Sequence, residues 1–293
     1  MTDERPSFDL QSHSQYSDGE LPPAQVVQTA ADEGVRLLAL TDHDSVDGVD
    51  EALEAATDAG IELVPAAELS AVHGGHEDLH VLGFRLDHTD RTLNERLGDA
   101  REDRVRRADE MAGKLAELGF EVDHEQLHRR RAAGLAIGRP HLTQAVVSHP
   151  ANRARLEAED LTEVSTFLPA YLIPGRPAYL PRTHPTVPEA IQWIHDAGGV
   201  AVWAHPFWDI NDAEAVLATI DAFVGYGLDG VEIFYSTHTA EQTQLLGVKC
   251  AELDLLTTGS SDFHGPNHRL FDRFRTFETF GVEVNLGIVA TPF

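Results

Sequence analysis

The chain is short of residue types that most proteins of its size use freely. Among 293 residues Cys250 is the only cysteine. No intrachain disulfide can form, and a reducing compartment is expected. Lysine occurs only at Lys114 and Lys249, so every other side-chain cation is an arginine. No apolar run approaches the ~20 residues that a membrane-spanning helix needs. The first residues, Met1-Thr2-Asp3-Glu4-Arg5, carry acids where a secretory leader would carry an apolar core. Low-complexity tracts, internal repeats and flexible linkers are also missing. These absences exclude a disulfide scaffold and a helical membrane span, and a cytoplasmic location is the expectation.

Negative charge is abundant. Asp and Glu number 49 against 22 Lys and Arg, for a formal net charge of −27. An acidic, lysine-poor surface of this kind suits concentrated salt, where screening suppresses self-repulsion. A halophilic cytoplasm is therefore expected. The length allows one large α/β domain or two smaller ones and a sizeable core.

Strand and helix patterns alternate. Phe8-Asp9-Leu10 opens the series, followed by a proline-started helix over 22–31. Leu37 to Thr41 reads as a buried strand, then a helix rich in Ala and Glu runs to Ala59 and stops at Gly60. A third strand over 61–67 leads to Glu68. His73-Gly74-Gly75-His76 signals a hairpin that folds His80 back beside Glu68. Between about His88 and Arg182 the rhythm gives way to helical spacing, with Leu93, Leu97, Val105, Ala108, Ala112, Leu115 and Leu118 in register. Alternation then resumes through Val200–Ala204, Gly230–Phe234 and Leu255–Gly259. Repetition of this kind means parallel strands, and a barrel would let the ends of many strands meet.

Those strand ends carry the chemistry. Gln11, His13, Asp18, His43, Glu68, His80, His205, Asp262 and His264 all fall where an apolar run stops. Imidazoles and carboxylates without a thiol suit Zn, Mn or Fe. Such a gathering of charge needs cations to offset it. His73, His76, His124, His128 and His195 lie in loops or on helices and read as surface residues.

In order, Asp9-Leu10-Gln11-Ser12-His13-Ser14 with Ser17-Asp18-Gly19, Thr41-Asp42-His43-Asp44, Glu68, His80, Ala204-His205-Pro206 and Ser261-Asp262-Phe263-His264 resemble the motifs of PHP-domain (polymerase and histidinol phosphatase) phosphoesterases. Gly138-Arg139-Pro140-His141, Gly175-Arg176-Pro177-Ala178-Tyr179 and Ala197-Gly198-Gly199-Val200-Ala201-Val202 extend the resemblance to the branch of 5′-3′ exoribonucleases and 3′,5′-nucleoside bisphosphate phosphatases. It implies an α/β fold, a distorted (β/α)7 barrel. Residues 1–87 and 183–293 would form the barrel, and 88–182 a helical insertion covering the active site. It also implies two or three divalent metals, Mn foremost and Zn or Fe as alternatives. One would bind Gln11, His13, Glu68 and Asp262; a second Glu68, His80 and His205; a third Asp18, His43 and His264. The implied reaction is hydrolysis of a phosphate ester of a nucleotide or RNA 5′ end by metal-activated water, with His43, His205, His264 and Asp262 at the reacting phosphate. No membrane and no obligate protein partner are implied.

The chain departs from the family pattern at Gln11, where the family has His. An amide oxygen is a weaker ligand than imidazole for these metals, so the first site is expected to hold its ion loosely. A barrel weakened there could instead bind nucleotides or partners without turnover. A metal-dependent amidohydrolase is the other alternative, but such sites commonly use a carboxylated Lys at a strand end, and Lys114 and Lys249 both lie in helical stretches. Segment Arg91 to Arg139 holds half of the 22 cations. Most should pair with Glu102, Asp103, Asp109 and Glu110. Arg139 precedes a helix-starting proline and is expected to clamp a phosphate, with His141 as a second candidate.

Overall fold

The computed structural model describes residues 5–132 and 137–291. The acidic N-terminal residues 1–4, read above as no leader, lie outside them. Seven strands form one sheet in chain order: β1 (Phe8–Asp9), β2 (Leu37–Leu40), β3 (Glu62–His73), β4 (His76–Phe84), β5 (Val200–Trp203), β6 (Gly230–Tyr235) and β7 (Leu256–Ser260). β1–β2, β2–β3, β5–β6 and β6–β7 are parallel, as strand–helix alternation requires. β4 is antiparallel to both β3 and β5. The reason is local: Gly74, at φ +59, turns the chain back within two residues, and so short a connection cannot cross over to a parallel position. The outer strands then meet. Leu10 N–H donates to Gly259 O at 3.1 Å and Ser12 bridges Phe263 in parallel, so the sheet nearly closes into a distorted barrel.

The helices are α1 (Pro23–Asp32), α2 (Val49–Ala59), α3 (Arg91–Glu117), α4 (His124–Ala132), α5 (Arg139–Val147), α6 (Arg153–Glu159), α7 (Val164–Tyr171), α8 (Val187–Asp196), α9 (Pro206–Asp209), α10 (Ala213–Val224) and α11 (Ala240–Leu253). None of the described helices is long and apolar enough to cross a membrane. α8 shows how sequence makes them. Thr186 and Glu189 form a capping box, and Val187, Ala190, Ile191 and Ile194 recur on one buried face. That face lies against β4 at Gly83, where a Cβ would come within 2.8 Å of Ile194.

The chain divides into two compact units, Met1–Leu97 with Thr183–Phe293, and Gly98–Arg182. The first contains the barrel. Its core includes Phe84, Trp203, Phe223, Phe234, Ile191 and Ile194, and Leu93 and Leu97 from the first turns of α3. The second has a core of its own around Leu115, Phe120, Leu142 and Phe167. Phe84→Ala should destabilise the barrel by about 3–5 kcal/mol through lost burial and the cavity left behind. Urea unfolding checks this, and a loss below about 1 kcal/mol would mean that the site collapses without cost.

Candidate metal centre

Buried carboxylates first shape the loops. Asp42 accepts from Ser14 N–H at 2.8 Å, Ser14 Oγ at 2.7 Å and Ser17 Oγ at 2.6 Å, which folds the loop after β1 and sets Asp18. Gly19 completes that loop because a Cβ there would sit 2.2 Å from the His13 carbonyl oxygen. Asp9 accepts from Ser261 N–H and Oγ and from Arg275 N–H, at 2.9, 2.6 and 2.9 Å, and so fixes the chain after β7. At two strand ends the backbone turns left-handed: His205 has φ +30 and Asp262 φ +57. Such conformations cost about 1–3 kcal/mol for a non-glycine residue and cluster at functional sites.

These loops, with strands β3 and β4, bring together eight of the nine predicted ligands, seven of them around Glu68, which is fully buried. Its Oε1 lies 2.8 Å from His80 Nδ1 and 3.2 Å from His205 Nε2. Its Oε2 lies 3.1 Å from His13 Nε2 and 3.4 Å from His43 Nδ1. Asp262 Oδ1 is 3.1 Å from the same His13 nitrogen. On the more open side, Asp18 stands 3.6 Å from His43 Nε2 and 3.5 Å from His264 Nε2. Gln11, buried beside Ser260, is the ninth.

Several donor atoms converge without a hydrogen bond. His13 Nε2, His43 Nδ1, Glu68 Oε2 and Asp262 Oδ1 are buried with no hydrogen-bond partner, while His205 Nε2 is within hydrogen-bond distance of Glu68 Oε1 and His80 Nδ1. An orphaned buried polar atom costs about 1–3 kcal/mol, so four in one place mark a site made for something else. Donors held by one first-row ion at about 2.1 Å stand about 3.0–3.4 Å apart, close to the spacings around Glu68. Two sets, His13, Asp18, His43, His264 and His43, Glu68, His80, could each hold a metal ion. The residues fit divalent metals.

The electrostatics agree. Burial disfavours charge on His13, yet the Asp262 and Glu68 carboxylates beside it raise it well above the ordinary imidazole value. Burial likewise opposes charge on His205, but Glu68 carries it up to about 9. His80 is raised for the same reason. Burial pushes Glu68 up, and the surrounding imidazoles, His43 and His80 foremost, outweigh it and hold it well below the usual carboxylate range. His43 is pulled down to about 4 by burial. The carboxylates thus raise the proton affinity of His13, His80 and His205.

The matching family model is the PHP domain, over residues 9–147. A 5′-3′ exoribonuclease of Haemophilus influenzae is 34% identical, over 88% of this chain and 90% of that protein. A 3′,5′-nucleoside bisphosphate phosphatase of Chromobacterium violaceum is 31% identical, over 89% and 88%. Two crystal structures superpose with TM-score 0.75. One, named an amidohydrolase from C. violaceum, is 29% identical over 89% of each chain. The other, named a metal-dependent phosphoesterase from Bifidobacterium adolescentis, is 28% identical over 91% of each chain. The chain belongs to the PHP family. As a PHP protein it is a phosphoester hydrolase. Neither lysine of this PHP chain sits at a strand end: Lys114 is in α3, and Lys249 in α11 pairs with Asp221 at 2.5 Å.

The two candidate phosphate ligands belong to the helical unit. Arg139 is the first residue of α5 and its Nη1 donates to Leu172 O at 3.4 Å. His141 Nδ1 accepts from Gly138 N–H at 3.1 Å, so that atom caps the helix. Arg91, Arg106 and Arg131 pair with Glu95, Glu110 and Asp109, the solvated-helix role expected for most of that segment.

Residues the sequence did not single out support the PHP centre from behind. Glu232 on β6 accepts from His205 N–H at 3.0 Å and from Ser260 Oγ at 2.6 Å. Burial pushes it up to about 8, and cations bound next door would push it back down. Tyr235 donates its hydroxyl proton to Asp262 Oδ2 at 2.7 Å. A carboxylate inside the apolar run Val231-Glu232-Ile233 was the available signal. Because the carboxylates raise the proton affinity of His13, His80 and His205, a metal must compete with protons there, so metal uptake should release protons and affinity should fall as pH drops from 8 to 6. Calorimetric titration in buffers of different ionisation enthalpy reads the proton count; zero release would refute that competition.

Proposed function

We propose that this enzyme hydrolyses phosphate esters of nucleotides, either a 3′,5′-bisphosphate mononucleotide or a phosphorylated RNA 5′ end. The observation that carries this reading is Glu68, each of whose oxygens faces two imidazoles within 3.4 Å. Gln11, His13, Glu68 and Asp262 would hold one ion, Glu68, His80 and His205 a second, and Asp18, His43 and His264 a third. Nitrogen and oxygen donors without thiolate favour Mn, with Zn or Fe as alternatives. Bound divalent ions supply Lewis acidity, which activates water and neutralises phosphoryl oxygens.

The chain's own side chains do the rest. Glu68 and His13 are wholly buried and keep the floor of the site rigid and dry. Asp18 is more than a third exposed, and His43 and His264 are partly so, which makes theirs the side a phosphate enters. His205 and Asp262 hold their positions through Glu232 and Tyr235. Support for a nucleoside-bearing substrate comes from an aromatic ledge beside His264. Phe271 lies 5.6 Å from the His264 ring, and Trp208, 48% exposed, lies 5.6 Å from Phe271. Bases stack on such faces. Arg139, a guanidinium at a helix N-terminus, is proposed as a phosphate ligand on the chemistry of that position. The acidic, lysine-poor composition supports work in a salt-rich cytoplasm.

Turnover in high salt with added Mn, on 3′-phosphoadenosine 5′-phosphate against a 5′-monophosphorylated RNA oligomer, tests the reading. Release of phosphate or nucleotide from at least one is expected, abolished by chelation and restored by Mn. Full activity after exhaustive chelation, with metal absence confirmed by elemental analysis, would reject it. Trp208→Ala should raise KM about tenfold with kcat little changed; an unchanged KM would remove the ledge from substrate binding.

A further inference from the structure

Gln11 stands where the family pattern has His, and its amide conflicts with its neighbours. Ser260 Oγ lies 2.6 Å from Glu232 Oε1 and 3.3 Å from Gln11 Oε1. A hydroxyl has one proton to donate. The shorter contact goes to a carboxylate whose other oxygen already accepts from His205 N–H. With Glu232 ionised, as cations bound next door would make it, Ser260 donates to Glu232, and its lone pairs face Gln11. With Oε1 turned toward Ser260, two acceptors confront each other, while the buried Gln11 Nε2 has no hydrogen-bond partner. The two ends of a Gln amide have nearly the same shape, and the surrounding bonds decide which is which. Reversing the amide removes both conflicts. Nε2–H then donates to Ser260 Oγ, and Oε1 takes the buried position where the nitrogen had no partner. Gln11 is two residues before His13, the spacing at which an extended chain turns side chains to one face, and His13 Nε2 is 3.1 Å from both Glu68 and Asp262.

We propose that Gln11 is a metal ligand through Oε1, with Ser260 and Glu232 as the positioning residues that aim its amide. The inference rests on the metal-centre reading above. Glu232 orders the Ser260 hydroxyl, Ser260 orders the amide, and the amide presents one oxygen to the ion. Carboxylates play the same part behind metal-bound imidazoles, where they fix the ligand's orientation and raise its basicity. The replacement of imidazole therefore weakens this site without removing it. A neutral hard oxygen also tilts its preference toward Mn and away from softer ions.

Titration of the full-length chain with Mn, followed by the electron paramagnetic resonance of the free ion, tests this without any substrate. Gln11→Leu should bind one ion fewer per chain, the weakest. Ser260→Ala should keep the stoichiometry and weaken that one class by about 10–100-fold. Ser260→Thr, which keeps the hydroxyl, should bind like wild type, separating the loss of a bond from damage to the fold. Identical titrations for wild type and Gln11→Leu would overturn the ligand role. An unchanged Ser260→Ala would overturn the positioning role. A wild-type chain that binds no Mn would bring down the metal-centre reading itself.

Discussion

One buried carboxylate constrains the rest of this molecule. Glu68 has no contact with solvent and is surrounded by His13, His43, His80 and His205. A charge in that position is tolerable only with compensating charge close by. Three of the four imidazoles follow the ends of β1, β2 and β5 and the fourth, His80, lies within β4, so the strands must be brought round the sheet for them to meet. The antiparallel hairpin is part of this requirement, since it returns the chain from Glu68 to His80 within a few residues. Fold and site are thus one problem, with the left-handed turns at His205 and Asp262 as the local cost.

Behind the donors lies a second set of polar groups that bond to backbone and to ligands but face no substrate. Asp9, Asp42 and Glu232 accept backbone N–H and hydroxyl protons, while His13 Nε2, His43 Nδ1, Glu68 Oε2 and Asp262 Oδ1 are left without a hydrogen bond. This division explains how so many charges can share one interior. Some oxygens are satisfied by the protein, and others wait for cations. Rigidity follows, because each loop is anchored at more than one point before any ion arrives.

Much of the site was legible because its residues stop apolar runs. His43 follows Leu38-Ala39-Leu40-Thr41-Asp42, His205 follows Val202-Trp203-Ala204, and Gly74-Gly75 announces the hairpin that brings His80 to Glu68. Asp9, Asp42 and Glu232 were not legible in the same way. A carboxylate that folds a loop through backbone N–H groups looks, in one dimension, like any solvated acid. Asp9 stands two residues before Gln11 and four before His13, yet Ser261 and Arg275 occupy it. The aromatic ledge was hidden because Trp208 and Phe271 meet only once the barrel has closed. His141 illustrates the reverse case: a promising imidazole whose Nδ1 closes the first turn of α5.

The central claim is that Glu68 would serve two metal ions at once, with His13 and His43 beside one of its oxygens and His80 and His205 beside the other. Electron paramagnetic resonance of the Mn-loaded protein tests it most directly, because ions sharing a bridge are exchange-coupled and isolated ions are not. Wild type is predicted to give the coupled spectrum, and Glu68→Gln, which keeps the shape but removes the charge, to lose it. A wild-type spectrum of isolated Mn at full loading, or an unchanged coupled spectrum in Glu68→Gln, would contradict the account.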